Sequence, residues 1–367
     1  MKTNRRNWLK QTGIVAAGLG LIPFEGYSSP IKINSENKND EIPVKLSSNE
    51  NPYGPSASAR IAMAEYINKS NRYNWELTSQ LTSAIAKKNN VDPDNILLGA
   101  GSTEILDLVV RLAALNKGSF ILAEPTYSYW SDVAIRSGLQ KIAVPLTADK
   151  LHNLQAMLSA IRPDTKLIYL CNPNNPTGTI CERDELVAFI KEATKNALVL
   201  VDEAYLDFTD QQSLCNISIE NKNLIIAKTF SKIYGLAGGR IGYAIADTGT
   251  ISKLSELQSW PNGSISVVSA AGALASLKDS DFVQETFSLN KKTREYTIEQ
   301  LSRLKINCIP SHSNFIYFSL ANYTKDFFEQ LKNNNIIGTK IYEEQGKWSR
   351  ITVGTKQEME KLIHAIE

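Results

Sequence analysis

The sequence predicts an α/β fold, with a large, doubly wound, mostly parallel sheet domain followed by a smaller α+β domain. Two patterns carry this expectation. From Leu46 onward, short apolar runs alternate with helical patterns, and such strand, helix, strand repetition implies a parallel sheet covered on both faces. After about Pro261 the rhythm changes to longer helices and then a group of short strands. The chain length of 367 residues agrees, because it exceeds one typical domain and predicts about two.

Taken in order, Met1 to Pro30 reads as an export signal: a basic start, an apolar run from Gly13 to Ile22, then Pro23 and small or polar residues. Its Asn4-Arg5-Arg6-Asn7-Trp8-Leu9-Lys10 segment resembles the twin-arginine pattern. Gly13, Gly18 and Gly20 dilute the apolar run, which disfavours a spanning helix of about 20 apolar residues. Gly26 and Ser28 are the small residues that can precede a cut. The expected location is therefore the periplasm, with membrane attachment only through an uncleaved signal. The expected boundaries are a signal peptide over 1–30, a linker and N-terminal arm over 31–72, a large domain over 73–262 and a small domain over 263–367.

In the large domain, strands are expected at Ile96–Leu98, Phe120–Ala123, Lys141–Val144, Leu167–Leu170, Leu198–Val201, Leu224–Ala227 and Ile241–Ile245. Helices are expected at Ser102–Leu115, Tyr127–Ser137, Leu151–Ile161 and Arg183–Thr194. The small domain is expected to hold helices at Ser264–Leu277 and Asp281–Leu304, strands at Ile306–Ile309, Phe315–Ser319, Ile336–Thr339 and Arg350–Val353, and a final helix.

Composition narrows the function. Forty basic against thirty-eight acidic residues leave a net charge of +2, which offers no basic field for nucleic acid phosphates. Cys171, Cys181, Cys215 and Cys308 form no CxxC or Cys/His cluster; they read as apolar fillers, and no metal site is expected.

Three segments carry chemistry, each at the carboxyl end of an expected strand, where ligands sit in open α/β sheets. Lys228-Thr229-Phe230-Ser231-Lys232 follows the strand ending at Ala227. A lysine held there can form a Schiff base with an aldehyde cofactor, and the nearby hydroxyls with Arg240 can bind an anion. Asp202-Glu203-Ala204-Tyr205 follows Leu198–Val201; a carboxylate there can keep a pyridinium nitrogen protonated, or simply cap a helix. Asn174-Asn175-Pro176-Thr177-Gly178 has the chemistry of a turn. Ser102 and Thr103 open a helix, a natural place for phosphate.

Taken together, NNPTG, DEAY and KTFSK with Arg240 resemble the fold-type I pyridoxal-phosphate aminotransferases of class I/II, and most nearly their histidinol-phosphate aminotransferase branch. SNENPYGPS (Ser48 to Ser56), GAGSTE (Gly99 to Glu104), EPTYSYW (Glu124 to Trp130) and RITVGT (Arg350 to Thr355) support this, and the resemblance runs from Leu46 to the end. It implies pyridoxal 5'-phosphate as cofactor, with Lys232, Asp202 and Tyr205 as catalytic residues. Lys232 matches the Schiff-base lysine and Asp202 the partner of the pyridine nitrogen, while Asn175 and Tyr205 match the groups around the ring hydroxyl. Tyr127 matches the aromatic stacked on the ring. Ser102, Thr103, Thr229, Ser231 and Arg240 match the phosphate site. Tyr73 matches a tyrosine that reaches the phosphate from a neighbouring subunit, which implies a homodimer with shared sites. Arg350 matches the arginine that grips the substrate's anionic group, and Asn314 another residue lining that pocket. His152, His312 and His364 match nothing catalytic.

The implied reaction is ping-pong transamination between an amino donor and a 2-oxo acid. One departure bears on the donor: a second arginine of the histidinol-phosphate branch is replaced by Thr339, with Lys340 beside it. This implies that a singly anionic amine is preferred over histidinol phosphate, unless Lys340 points inward. A lyase, decarboxylase or racemase of the same fold shares the first chemical steps. A non-catalytic binding protein on this fold is a rival, and so is an NAD enzyme, because Gly99-Ala100-Gly101 with Glu124 imitates a nucleotide fingerprint. Glu104 occupies that fingerprint's third glycine position.

Overall fold

The structure, a computed structural model, describes residues 42–262 and 265–367. The expected signal peptide, with Arg5 and Arg6, lies outside the described residues, as does the linker before Ile42. Chain order runs β1 (Val44–Lys45), α1 (Ala57–Ile67), α2 (Trp75–Asn89), β2 (Ile96–Gly99), α3 (Ser102–Ala113), β3 (Gly118–Glu124), α4 (Tyr129–Arg136), β4 (Leu139–Pro145), α5 (Leu154–Ser159), β5 (Thr165–Cys171), α6 (Arg183–Ala193), β6 (Leu198–Asp202), α7 (Cys215–Ser218), β7 (Leu224–Thr229), β8 (Gly242–Ile245) and α8 (Thr248–Leu257). Then come α9 (Val267–Lys278), α10 (Ser280–Arg303), β9 (Asn307–Ile309), β10 (Phe315–Ser319), α11 (Phe327–Asn333), β11 (Ile336–Ile337), β12 (Ile341–Glu343), β13 (Trp348–Thr352) and α12 (Lys356–Ile366).

The large sheet has the order β2-β8-β7-β6-β5-β3-β4. β8 runs antiparallel to both its neighbours, and the other pairings are parallel. All seven expected strands are present. They are legible because strands covered on both faces become near-continuous runs of Val, Ile and Leu. One face, carrying Ile168, Leu170, Val199 and Val201, packs with residues of α2, α6 and α9. The other, carrying Leu167, Tyr169 and Leu200, packs with residues of α3, α4 and α8.

A second, four-stranded sheet, β12-β13-β10-β9, is built from the C-terminal part of the chain and is antiparallel throughout. The strand expected over Ile336–Thr339 is shorter, stopping at Ile337, and it joins β1 in a separate parallel pair. Thr339 lies beyond the ladder, and its hydroxyl donates to the carbonyl of Arg350. The β1 segment is thereby tied into the C-terminal half: Leu46 N–H donates to Ile337 O at 2.8 Å, and Thr352 N–H donates to Leu46 O at 3.0 Å. α1 packs along α9, so the described part of the expected arm is built into the fold.

Two further differences have local causes. The helix expected from Tyr127 begins at Tyr129, two residues later, and Tyr127 stays in the loop after Pro125-Thr126. Helix α8 lies outside the expected set because it is rich in Thr and Ser, but the Asp247 carboxylate caps it by accepting from Gly249 N–H at 3.1 Å. Among the described residues no helix is long and apolar enough to cross a membrane.

Candidate active site

The carboxyl ends of β5, β6 and β7 open on a cavity of about 1020 Å³, closed on other sides by residues 47–50, the start of α3 and the segment from Lys340 to Arg350. Its walls include Ser102, Thr103, Tyr127, Asn175, Asp202, Tyr205, Thr229, Ser231, Lys232, Arg240 and Arg350. Eleven of the thirteen site residues read from the sequence thus converge on one chamber. The exceptions are Tyr73 and Asn314.

Asp202 ends β6, and its neighbour Glu203 starts the next turn, so the two carboxylates leave the strand on opposite sides. Glu203 makes a buried ion pair with Lys228, 3.1 Å away on β7. Asp202 has no ion-pair partner among the described residues, although it is only 2% exposed. Its Oδ1 accepts from Ala204 N–H at 3.0 Å and its Oδ2 from the Tyr169 hydroxyl at 3.1 Å. Burial raises its pKa to about 6, against the pull of those donors and of Lys232.

Lys232 stands across the chamber, its Nζ 3.3 Å from the carbonyl of Ser48 and 5.4 Å from the centroid of the Tyr205 ring. Burial lowers its pKa to about 8, aided by the positive charge of Arg350. Asn175 and Asn49 both donate through Nδ2 to the Tyr205 hydroxyl, at 3.2 and 3.0 Å. That oxygen's own proton is therefore free to be donated. Tyr127 also lines the chamber, and burial, then the charge of Asp202, pushes its phenol up to about 12.

At the other end, α3 begins at Ser102 with Gly101 as its cap at φ +78°. A Cβ on Gly101 would lie 2.4 Å from Arg240 Nη2, so glycine is required both by the left-handed backbone and by the guanidinium's approach. Arg240 Nη2 donates to the Thr103 hydroxyl at 3.2 Å. The Thr229 and Ser231 hydroxyls, 2.9 Å apart, complete this corner. Free helix N–H groups, an arginine and hydroxyls form an anion cradle. The GxG that imitates a nucleotide fingerprint is used differently: Glu104 Oε2 accepts from Ala100 N–H at 2.6 Å and ties the turn shut.

These features fit pyridoxal phosphate. A buried carboxylate lacking a cation suits a protonated ring nitrogen, the cradle suits the phosphate, and the amine of Lys232 faces the space between them. Strand β13 supplies Arg350, whose Nη2 donates to Ser47 O at 2.9 Å and whose Nη1 donates to Asn175 Oδ1. Its guanidinium lies 5.3 Å from both the Phe315 and Tyr342 ring centroids. Its Nε is buried without a partner among the described residues, so the group retains donor capacity for an anion.

Asn314 requires a correction. It does not line the chamber; its side chain is buried behind residues 49–50 and donates to the Asn49 and Glu50 carbonyls at 2.9 and 3.3 Å. Its part is to hold that wall in place. Tyr73 is 70% exposed and clusters with Trp75 and Trp260, ring centroids 5.8 and 4.8 Å away; it is outside this chain's own chamber. Sequence reasoning missed Asn49 and Tyr342, both in the walls. Asn49 lies within the SNENPYGPS run, which was its available signal. None of the three histidines lines the chamber, and buried His152 binds the Cys171 carbonyl through Nε2 at 2.9 Å.

Comparison with known proteins agrees with this geometry. The family described as aminotransferase class I and II matches residues 41–366. A histidinol-phosphate aminotransferase of Moorella thermoacetica is 34% identical over 328 residues, covering 88% of this chain and 84% of its own length. One from Brevibacillus brevis is 35% identical over 331 residues, covering 88% and 89%. The crystal structure of histidinol-phosphate aminotransferase from Sinorhizobium meliloti in complex with pyridoxal-5'-phosphate superposes with a TM-score of 0.82 at 26% identity, covering 89% of this chain and 90% of that one.

The depressed pKa of Lys232 has a direct consequence. Only the neutral amine is acylated, so in competitive labelling of the cofactor-free chain with acetic anhydride, Lys232 should be half-reactive near pH 8. A lysine amine in water is half-neutral only near about 10.4. Peptide mass spectrometry showing Lys232 titrating with the exposed lysines would contradict the environment described.

Proposed function

The chain belongs to the class I and II aminotransferases, pyridoxal-phosphate-dependent transferases, and on that footing we propose that it moves an amino group between a singly anionic amino donor, foremost an α-amino acid, and a 2-oxo acid. The carrying observation is one chamber that joins an amine, a buried unpaired carboxylate and a partly free guanidinium. When bound, pyridoxal phosphate supplies the electron sink that makes the donor's α-carbon acidic. Asp202 holds the proton on the ring nitrogen. The α3 start, Arg240, Thr229 and Ser231 bind the phosphate, while Tyr127 orients the ring and Asn175 and Tyr205 hold its hydroxyl. Lys232 Nζ, with a pKa of about 8, can both take and return a proton near neutral pH. Arg350 fixes the donor's anionic group and so aims its α-carbon.

The donor's far end meets Lys340, which lines the chamber, whereas Thr339 does not. The Lys340 ammonium lies 5.7 Å from the Tyr342 ring centroid and supplies a point charge without the fork of a guanidinium. Histidinol phosphate, the substrate named for the relatives, is therefore admissible but not favoured. Losing one charge-assisted partner costs about 10- to 100-fold in affinity.

Tyr73, Trp75 and Trp260 form an exposed aromatic cluster, with Ile61 and Ile67 also exposed. Such a patch suits a protein interface. It supports a homodimer in which Tyr73 enters the partner's chamber.

In steady-state assays, the donor panel should give parallel double-reciprocal lines, with kcat/KM higher for an α-amino acid than for histidinol phosphate. Lys232→Ala should lower turnover by roughly 1000-fold. A maximum for histidinol phosphate would overturn the donor assignment, and an unchanged Lys232→Ala rate would overturn the aminotransferase site.

Export by a twin-arginine route is part of the same proposal. Cofactor loading and a shared dimeric site both need folded chains, and that route carries folded cargo. Changing Arg5→Lys and Arg6→Lys together should leave active enzyme in the cytoplasm while the wild type fractionates to the periplasm. Wild-type enzyme found intact in the cytoplasm of its own host would contradict this.

A further inference from the structure

Tyr169 sits on β5, wholly buried, with its hydroxyl 3.1 Å from Asp202 Oδ2. β5 and β6 pair Cys171 with Asp202, so Tyr169, two residues earlier on the same face, is the carboxylate's diagonal neighbour. Burial and the charge of Asp202 push the Tyr169 phenol well above its usual range. Its proton therefore stays on the phenol, which donates to the carboxylate.

The tyrosine is itself fixed. Its ring packs against Trp130 at 4.8 Å, and Trp130 packs against Phe120 at 5.3 Å. Trp130 Nε1 donates to the carbonyl of Tyr127 at 3.1 Å. One buried aromatic stack thus holds both the carboxylate and the backbone of the tyrosine that line the cofactor slot. Ala204 N–H occupies Oδ1 and Tyr169 occupies Oδ2 from the protein side, which leaves the remaining lone pairs for a donor in the chamber.

We infer that Tyr169 is a positioning residue for Asp202, whose hydroxyl fixes the carboxylate's orientation and favours its ionised form toward a protonated pyridine nitrogen. This rests on the pyridoxal-phosphate site proposed above. The charged and titratable groups facing Asp202 are Tyr169 and Cys171 from β5, Lys232 beyond β7, adjacent Glu203, and Tyr127 and Tyr205 from the loops. Of these, Tyr169 gives the carboxylate a hydrogen bond. Burial already raises Asp202 to about 6. Removing the hydroxyl removes a group that lowers it, so the carboxyl would hold its proton to higher pH.

The test is Tyr169→Phe in the full chain, which keeps the ring stack. Two ligands are titrated calorimetrically into the cofactor-free protein between pH 6 and 9: pyridoxamine phosphate, and its analogue with the ring nitrogen replaced by carbon. For pyridoxamine phosphate the variant should bind about ten-fold more weakly, and its loss of affinity on acidification should begin at higher pH than in the wild type. For the carbon analogue, wild type and variant should agree within about two-fold, which also reports an intact fold. A variant that loses both ligands alike, through a distorted site or a lost fold, assigns the hydroxyl a structural role and overturns the inference. So does a variant indistinguishable from wild type with pyridoxamine phosphate. A wild-type chain that binds neither ligand overturns the proposed site and this inference with it.

Discussion

Burial makes the ionised form of Asp202 costly, and the fold offsets that cost only in part. It lies at the end of a strand in the middle of the sheet, out of water, and the protein gives it two hydrogen bonds but no ion pair among the described residues. Burial in that condition favours a carboxylate's neutral form, and it raises the pKa of Asp202 to about 6. Its neighbour Glu203 meets the same burial with a lysine at 3.1 Å. Strand alternation separates the two acids: Glu203 is satisfied by Lys228, and Asp202 has no cation partner among the described residues. The anion cradle at α3 and the amine of Lys232 are placed around that unmet need.

The chamber is closed by parts of the chain far apart in sequence. Residues 47–50 form a wall whose backbone is held by Asn314 and by Arg350 Nη2. Asn49 carries this wall to Tyr205, while its backbone N–H reaches the Thr352 hydroxyl at 2.8 Å. Arg350 in turn donates to Asn175, the same side chain that donates to Tyr205. Arg350, proposed to grip the substrate, and the groups expected around the cofactor's hydroxyl therefore share one hydrogen-bond network. A change at the substrate end should be felt at the ring.

Much of this was legible in the sequence, for physical reasons. Two-sided burial writes the strands as apolar runs, and local pattern puts Asp202, Asn175 and Lys232 at or just beyond their carboxyl ends, while their roles come from the family resemblance. What escaped was tertiary. Tyr169 reads as one more large residue in a buried strand until the pairing of Cys171 with Asp202 brings its hydroxyl to the carboxylate. Asn49 acts through Thr352 and Tyr205, neither of them near it in sequence. Asn314 falls in the right neighbourhood but not on the right side of the wall, because resemblance transfers position and not side-chain direction. The antiparallel β8 and the pairing of β1 with β11 are likewise invisible to periodicity, which states what a strand buries and not whom it pairs with.

The central claim is that Asp202 supplies the charge on which the electron sink depends. It is tested most directly by mixing the cofactor-loaded chain with an excess of amino donor and following the cofactor's absorbance in a single half-reaction. Asp202→Asn keeps the shape of the side chain and removes the charge. This variant should still carry cofactor but convert it at least about 100-fold more slowly than wild type. Conversion at the wild-type rate would contradict it.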